Sequence, residues 1–288
     1  MQSTGWIPDY KDTRDWTTKH PRVNKLLEEL GFYKAKKEPL PPAADLRSWF
    51  PPVQNQNPLN ACTVHTGVGL LSYFVNKAYK QNLESSRLFL YKVSRNLVGM
   101  VGDKGGYLRT TMQGMRLFGS PPESYWPYFP PLVDVEPPPF CYSLASNYKA
   151  VSYYRVDRPG RPNEKLLADV KSLLTLKLPI MFGLALYASL YVAAGGAIPH
   201  PFPGEPQVGL HALVAVGYDD EKLISNFNPL TGRLLLSKGA LRIRNSWGDQ
   251  WGEAGYGWLP YDYLLTGLTS DWWSLIKSDF VDTGEFGF

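Results

Sequence analysis

One short stretch of the chain holds the residue types that nucleophilic catalysis requires. In "QNQNPLNACTVHTGVGLL", residues 54–71, Cys62 stands just before an apolar run, and Gln56 lies upstream of it. A cysteine in the first turn of a helix has a lowered thiol pKa, because the aligned backbone dipoles favour the thiolate. Its own backbone N–H and the Gln56 side chain could donate hydrogen bonds to an oxyanion. Cys62 is therefore either a nucleophile or a small buried residue of a core helix.

A thiol nucleophile needs a base, and the chain has four histidines. His65 follows Cys62 on the same predicted helix, where it is expected to pack. His20 and His200 lie beside prolines and are expected to be solvated. His211 begins the predicted strand "HALVAVGY", in which a rigid sheet would hold an imidazole across a cleft. This placement makes His211 the candidate base.

A catalytic imidazole also needs a group that orients it, and "IRNSWGDQWGEAGYG" supplies a candidate. The carbonyl of Asn245 could accept the second ring N–H and so fix the tautomer of the histidine without adding charge. Trp247 and Trp251 stand close by and could shield that hydrogen bond from water. A cysteine, a histidine and an asparagine in this order predict covalent acyl chemistry.

The elements that would position these residues fall into two halves. Apolar spacing predicts helices over residues 61–80, 86–96 and 108–118, followed by a proline-dense connection over 120–140. The later part contains a strand over 148–156, a helix over 163–177, and then the strands "PIMFGLAL", "HALVAVGYD", "LISNFNP" and "ALRIRNSW". This segregation predicts an α+β protein with two lobes and a cleft between them.

Composition excludes several other classes of protein. With 288 residues, 44% of them apolar, and a formal net charge of +4, the chain shows no basic cluster that would indicate a nucleic-acid partner. Two cysteines predict free thiols, a reducing and hence cytoplasmic compartment, and an incidental role for Cys141. The polar N-terminus predicts no signal peptide, and the apolar stretch 178–198 is broken by Pro179 and glycines, so no membrane span is expected. No ligand spacing suggests a metal or another cofactor.

Over residues 43–265 the sequence resembles the papain family of cysteine proteases. The resemblance rests on "DLRSWFPPVQNQNPLNACT", "DKGGY", "YWPY", "HALVAVGY" and "IRNSWGDQWGEAGYG". It implies that Cys62 is the nucleophile, His211 the general base and acid, and Asn245 the orienting residue. Gln56 would donate to the oxyanion, and Trp247 would cover the bond between Asn245 and His211.

The resemblance also implies substrate-binding residues. Gly105 and Gly106 match the paired glycines whose backbone binds an extended substrate as an added strand. Leu108, Gly183 and Ala212 match walls of the pocket for the residue two before the cut, which suggests an apolar or aromatic side chain there.

Three positions depart from the family pattern. Leu59 stands where the family has a disulfide-bonded cysteine, Thr63 where it has tryptophan, and His65 where it has a large apolar residue. None of these changes touches a catalytic role, and the "ACT" form is similar to the prokaryotic branch of the family.

We therefore expect a papain-like two-lobe fold with three parts. Residues 1–42 would form an N-terminal arm that packs on the body and partly covers the cleft, as a short propeptide of a zymogen. Residues 43–145 would form a mainly helical lobe with the nucleophile, and residues 146–288 a mainly β, barrel-like lobe with the histidine and asparagine. The expected function is that of a cysteine endopeptidase acting on peptides or proteins. A peptide ligase or acyl transferase using the same acyl-enzyme, and an inactive peptide-binding module, remain the alternatives.

Overall fold

The structure, a computed structural model, describes residues 2–80 and 83–280. It combines α-helices with an antiparallel sheet, which confirms the predicted α+β class. In chain order the helices are α1 (Pro21–Glu29), α2 (Phe32–Ala35), α3 (Cys62–Tyr79), α4 (Arg87–Asn96), α5 (Leu108–Leu117), α6 (Pro139–Ala145), α7 (Asn163–Thr175) and α8 (Tyr261–Leu265).

The strands form one mixed-length antiparallel sheet in the order β2-β7-β3-β4-β5-β6, with β1 added on β4. Their bounds are β1 (Ala43–Asp45), β2 (Tyr148–Arg155), β3 (Ile180–Tyr187), β4 (Gln207–Asn228), β5 (Arg233–Arg244), β6 (Tyr256–Pro260) and β7 (Thr269–Phe280). Helices α3, α4 and α5 pack on one another, and α3 also lies against β4 and β3. The helical layer therefore meets the sheet along α3, which gives the two-lobe papain arrangement.

Helix α3 is the centre of this packing because its sequence is apolar on nearly all sides. Every residue from Ala61 to Tyr73 is buried, as expected for a helix enclosed by other elements rather than one lying on the surface. Gly67 allows α5 to approach closely, since a Cβ at this position would lie 2.5 Å from Cγ2 of Thr111. Helix α3, whose first residue is Cys62, is thus packed between α5 on one side and strands β4 and β3 on the other.

The helix predictions agree with the structure, and two strand predictions need correction. The segments "HALVAVGYD" and "LISNFNP" belong to one strand, β4, because the charged stretch between them forms an irregularity in the register rather than a turn. Strands β1, β6 and β7 were not predicted. The central strand β7 begins with the polar residues "TSD", which hide its buried tryptophans from a search for apolar alternation.

The N-terminal arm packs against the body, as the sequence predicted. Val23 and Leu27 of α1 are fully buried, and Phe32 of α2 is 1% exposed. Helix α1 lies against β7, and α2 lies against α7. The domain boundaries at residues 42 and 145 stay predictions, although β1 shows that residues directly after the arm already contribute to the sheet.

Among the described residues, no helix is long and apolar enough to cross a membrane.

Candidate active site

Gln56 and Cys62 are brought together by the loop that leads into α3. Cys62 is the first residue of this helix. The Gln56 side chain donates from Nε2 to the carbonyl of Leu59 at 3.0 Å and accepts from Oγ of Ser246 at 2.5 Å. Leu59 precedes Cys62 in the loop, and Ser246 directly follows Asn245. The Gln56 amide therefore bonds both to the segment that carries the cysteine and to the segment that carries the asparagine.

His211 and Asn245 lie on neighbouring strands and contact each other directly. His211 lies in β4, and Asn245 follows the last residue of β5. The Oδ1 atom of Asn245 lies 2.8 Å from Nε2 of His211 and also accepts from the backbone N–H of Ser246 at 2.8 Å. Since this oxygen only accepts, Nε2 of His211 carries the proton. Nδ1 has no hydrogen-bond partner within the described ranges, so it is the nitrogen left to act as a base.

Two tryptophans cover the contact between the histidine and the asparagine. The Trp247 ring stacks on His211 with centroids 4.6 Å apart and an angle of 20° between the planes. Trp251 meets Trp247 edge to face at 5.6 Å. Trp247 is 4% exposed, so water has little access to the hydrogen bond beneath it. The position of Trp247 fits a shielding role, which stays a prediction.

The thiol of Cys62 is completely buried, and its ionisation differs from the expectation. Burial raises the pKa of Cys62 to about 12, and hydrogen bonds from the backbone N–H groups of Ala212, Thr63 and Trp6 do not offset that effect. Burial also lowers the pKa of His211 to about 4, although the bond to Asn245 raises it. The predicted lowering of the thiol pKa is therefore wrong for this state of the molecule, in which burial keeps both the thiol and the imidazole neutral at pH 7.

The burial has a specific cause, because residues 3–7 of the arm lie in the cleft. Nε1 of Trp247 donates to the carbonyl of Ser3 at 2.8 Å, and Nε2 of Gln56 donates to the carbonyl of Thr4 at 2.9 Å. The predicted oxyanion donor is thus bonded to a peptide carbonyl of the chain itself. The expected partial cover of the cleft is in fact a bound peptide.

The glycine pair binds the arm through its backbone. The N–H of Gly106 donates to the carbonyl of Gly5 at 2.8 Å, and the N–H of Ile7 donates to the carbonyl of Gly106 at 2.9 Å. Gly105 has a φ of +84°, and a Cβ there would lie 2.2 Å from the carbonyl oxygen of Gly5. A side chain at Gly105 would therefore prevent the arm from lying along this segment.

The predicted specificity pocket holds the indole of Trp6. A Cβ at Gly183 would lie 2.0–2.3 Å from the Trp6 ring, so the ring occupies the space that the glycine leaves open. Ala212 pairs with Gly183 across β3 and β4, and Leu108 is fully buried at the start of α5. Trp6 itself is 5% exposed, which shows how completely this pocket encloses an aromatic side chain.

A carboxylate that the sequence analysis missed lies at the end of this pocket. Oδ2 of Asp271 accepts from Nε1 of Trp6 at 3.1 Å and from the backbone N–H of Asp9 at 3.0 Å, and Oδ1 lies 2.8 Å from Arg155. Asp271 is fully buried, and burial raises its pKa to about 6. The signal in the sequence was an acidic residue directly before two tryptophans, "SDWW", inside an otherwise buried segment.

The arm runs through the cleft against the direction of the expected substrate. The carbonyl of Thr4 accepts from Gln56, where the carbonyl of the cleaved bond is expected to lie. In a substrate, the pocket at Gly183 would by resemblance take the residue two positions before the cut. In the arm it takes Trp6, which follows Thr4 by two positions. The pairing of Trp6 with Gly106 is accordingly parallel. The arm therefore binds as a peptide whose orientation does not suit attack by the thiol.

Ion pairs hold the following part of the arm on the body. Arg109 pairs with Asp9, at 2.5 Å, and with Asp15, and Arg155 contacts Asp15 at 3.5 Å. Arg155 is 1% exposed and is also paired with Asp157 at 2.9 Å. These contacts join the arm to α5, β2 and β7 beyond the cleft.

The other cysteine and His65 lie outside this arrangement. His65 is buried and meets the ring of Tyr128 edge to face at 5.2 Å, as expected for a packed residue. Cys141 is buried in α6, where its thiol donates to the carbonyl of Tyr125 at 3.6 Å. Both cysteines are free thiols, and the structure shows no disulfide between them.

The fold, the buried thiol and the paired histidine and asparagine define a cysteine protease of the papain type. The chain belongs to the papain family of cysteine proteases, since residues 40–269 match the profile of that family. It is also 29% identical over 226 residues to an uncharacterized peptidase C1-like protein of Acanthamoeba polyphaga mimivirus, a match that covers 76% of this chain and 68% of the relative.

Solved structures show the same relationship. Xylellain, a cysteine protease from Xylella fastidiosa, superposes with a TM-score of 0.75 at 28% identity, and the match covers 97% of both chains. Bromelain from Ananas comosus, solved with the E64 inhibitor, has a TM-score of 0.61 at 19% identity, covering 83% of this chain and all of the other. Procathepsin L2 from Tenebrio molitor has a TM-score of 0.69 at 18% identity, covering 95% and 78%. At these lower identities the likeness concerns the fold.

Proposed function

We propose that this protein is a cysteine endopeptidase that cleaves peptide bonds through an acyl-enzyme on Cys62. The observation that carries the proposal is the arm itself. A peptide segment of the chain lies in the cleft, with the Thr4 carbonyl on the amide of Gln56 and the backbone of Gly5 on Gly106. A cleft that binds extended backbone directly beside a buried thiol is suited to peptide substrates.

The proposed reaction begins after the arm has left the cleft. Nδ1 of His211 accepts the thiol proton, and the Cys62 thiolate attacks the substrate carbonyl carbon. Nε2 of Gln56 and the backbone N–H of Cys62 donate to the oxyanion. His211 then gives its proton to the leaving amine, and water, deprotonated by the same imidazole, hydrolyses the thioester. Asn245 stays bonded to Nε2, which leaves Nδ1 as the nitrogen that exchanges the proton.

The arm acts as an autoinhibitory segment in this proposal, which corresponds to the expected zymogen. Two observations support it: Cys62 is 0% exposed, and the Gln56 donor is already bonded. The same burial raises the pKa of the thiol and so keeps it neutral. The reversed orientation protects the arm from the thiol that it covers. Removal or displacement of residues 3–7 would return water to the site and allow the thiolate and imidazolium pair to form.

The pocket filled by Trp6 supports a preference for a large aromatic residue two positions before the cut. Gly183 leaves room for the ring, and Asp271 accepts a hydrogen bond at the far end of the pocket. When the arm leaves, the Asp271 carboxylate loses the N–H donors of Trp6 and Asp9 and keeps Arg155. A substrate side chain with an N–H at its tip would replace the lost donor, so tryptophan should exceed phenylalanine and leucine at this position.

The test compares peptide cleavage by the full chain and by Cys62→Ala and Trp6→Ala. Fluorogenic peptides with tryptophan, phenylalanine or leucine two residues before the cut serve as substrates, with and without a competing amine. The proposal expects slow turnover by the wild type, faster turnover by Trp6→Ala and none by Cys62→Ala. Peptides joined to the amine as the main product would indicate a ligase. Binding without turnover in Trp6→Ala would indicate a peptide-binding module and contradict the proposal.

A further inference from the structure

A small cavity adjoins Asn245 outside the cleft that the arm occupies. Its volume is about 30 Å³, and its wall includes His65, Ser72, Ser85, Arg87, Arg244 and Asn245. Neither Cys62 nor any residue of the arm lines it. The cavity is therefore separate from the proposed substrate site, and Asn245 is the residue that faces both.

Four polar atoms of this wall are buried without a hydrogen-bond partner in the described part of the chain: Nε2 of His65, Oγ of Ser72, Oγ of Ser85 and Nδ2 of Asn245. The four side chains are between 0% and 8% exposed. A buried polar group without a partner costs about 1–3 kcal/mol, so four of them around one cavity indicate a bound particle that satisfies them. The volume is sufficient, because a water molecule needs about 10–15 Å³ of such space.

The charges of the wall favour an anion over a water molecule. Arg244 is 6% exposed and donates to the carbonyls of Pro51 and Pro52 and to the hydroxyl of Tyr256. Among the residues that the structure describes, no carboxylate lies within ion-pair distance of Arg244. Its guanidinium remains charged even when buried, so this positive charge has no counterion.

The second arginine of the wall, Arg87, is neutralised by Glu123 at 2.7 Å. Glu84 also lines the cavity, but this residue is exposed to solvent. Its carboxylate accepts a hydrogen bond from the side chain of Gln54 at 3.1 Å. Its negative charge disfavours a multiply charged anion. Arg87 is paired with Glu123 and Glu84 is exposed to solvent, so among the described residues of the wall Arg244 carries the buried charge that has no buried counterion. This single charge matches a small monovalent anion.

We propose that this cavity is a binding site for a small monovalent anion such as chloride. The anion accepts hydrogen bonds from Nδ2 of Asn245, from the hydroxyls of Ser72 and Ser85 and from Nε2–H of His65, and it neutralises Arg244. By holding Nδ2, it keeps Oδ1 of Asn245 directed to His211, which makes it a positioning ligand of the site. Binding in this cavity does not depend on the proposed peptidase activity.

The first test measures the melting temperature of the full chain in sodium chloride, sodium bromide and sodium gluconate at equal ionic strength. Gluconate is too large for the cavity. A chloride concentration about ten times the dissociation constant is expected to raise the melting temperature by about 2–3 °C over gluconate, with saturation as the concentration increases. Identical melting curves in the three salts would overturn the proposal.

Variants of the wall separate binding in the cavity from a general salt effect. His65→Phe fills the cavity and removes one donor, and Ser85→Ala removes a hydroxyl that has no other partner. Both are expected to lose most of the chloride effect. Ser94→Ala is the matched control, because Ser94 is 4% exposed and its hydroxyl is also unpartnered, but it does not line this cavity. An equal chloride effect in all three variants would contradict a site here.

A crystal of the full chain grown in bromide locates the ion directly. An anomalous peak between Asn245 and Arg244 is the expected result, and it does not require any variant to fold. Ordered density without an anomalous signal would mean that the cavity holds water, and the proposal would then be wrong.

Discussion

The indole N–H of Trp6 donates a 3.1 Å hydrogen bond to the carboxylate of Asp271, across 265 positions of sequence. Trp6 belongs to the segment of the arm that lies in the cleft, and Asp271 lies at the far end of the predicted specificity pocket. The same hydrogen bond therefore enters both proposals made for the cleft, the closure by the arm and the preference for tryptophan.

Loss of the Trp6 side chain should open the site. A hydrogen bond to a charged group contributes about 1.5–3 kcal/mol, so Trp6→Ala should increase iodoacetamide labelling of Cys62 at about pH 6 by about 10- to 100-fold. Site-resolved mass spectrometry measures the rate, with Cys141 as an internal reference. Trp49→Ala is the control, because Trp49 is a partly exposed tryptophan outside the cleft. Equal labelling of both variants would mean that the arm does not protect the thiol.

The ion pairs beyond the cleft should contribute to closure as well. In the double variant Asp9→Asn, Asp15→Asn, Arg109 loses two carboxylate partners, and labelling of Cys62 should increase about tenfold, because the Asp15 carboxylate is largely buried. Asp12→Asn is the matched control in the same segment, since Asp12 pairs with the exposed Arg14 and its loss should have little effect. If the double variant labelled Cys62 no faster than the wild type, the ion pairs would not contribute to closure and residues 3–7 alone would hold the arm.

The variant Gly183→Ala should affect the binding of the arm and the substrate preference in two separately measurable ways. The three atoms nearest to a Cβ at this position all belong to the Trp6 ring, so Gly183→Ala should expel the ring and speed alkylation of Cys62. The same methyl group shortens the pocket, so kcat/KM should fall by about 10- to 100-fold for peptides with tryptophan two before the cut and change little for alanine there. A uniform loss for both peptides would argue against a pocket at Gly183.

The titration of His211 should make the closed form sensitive to acid. Burial lowers its pKa from 6.5 to about 4, so between these values the unfolded chain binds more protons than the folded one. The stabilisation is complete above pH 6.5 and is lost as the pH falls toward 4. Asp271 acts in the opposite sense, because burial raises its pKa from 3.8 to about 6. Its contribution to the free energy of unfolding therefore decreases as the pH rises from 3.8 to about 6.

Melting temperatures between these pH values test both signs. His211→Gln should flatten the loss of stability on acidification, and Asp271→Asn should steepen it, because each variant removes one of two opposing titrations. The readout is the slope of the melting temperature against pH. A variant that is less stable by the same amount at every pH therefore does not affect the result. Parallel curves for the three proteins would show that neither group titrates as inferred from its burial.

The elements around the site could be read from the sequence because their signals are local. The apolar run after Cys62 predicts α3, and the alternation after His211 predicts β4, within a few residues of their observed bounds. The residue types themselves determine which chemistry is available, since a thiol, an imidazole and an amide have few common uses together. The family motifs extend this to Gln56 and Trp247, which contact the arm and His211 and whose roles stay predictions.

The tertiary structure decided what no local signal contains. That Trp6 fills the pocket, that Asp271 meets it, and that Cys62 is consequently neutral all depend on contacts between segments far apart in the chain. The thiol pKa was predicted from the helix dipole alone, and burial by the arm outweighed that effect. Local sequence therefore determined the elements and the reactive groups, whereas long-range packing decided their ionisation and access, because desolvation depends on everything that surrounds a group.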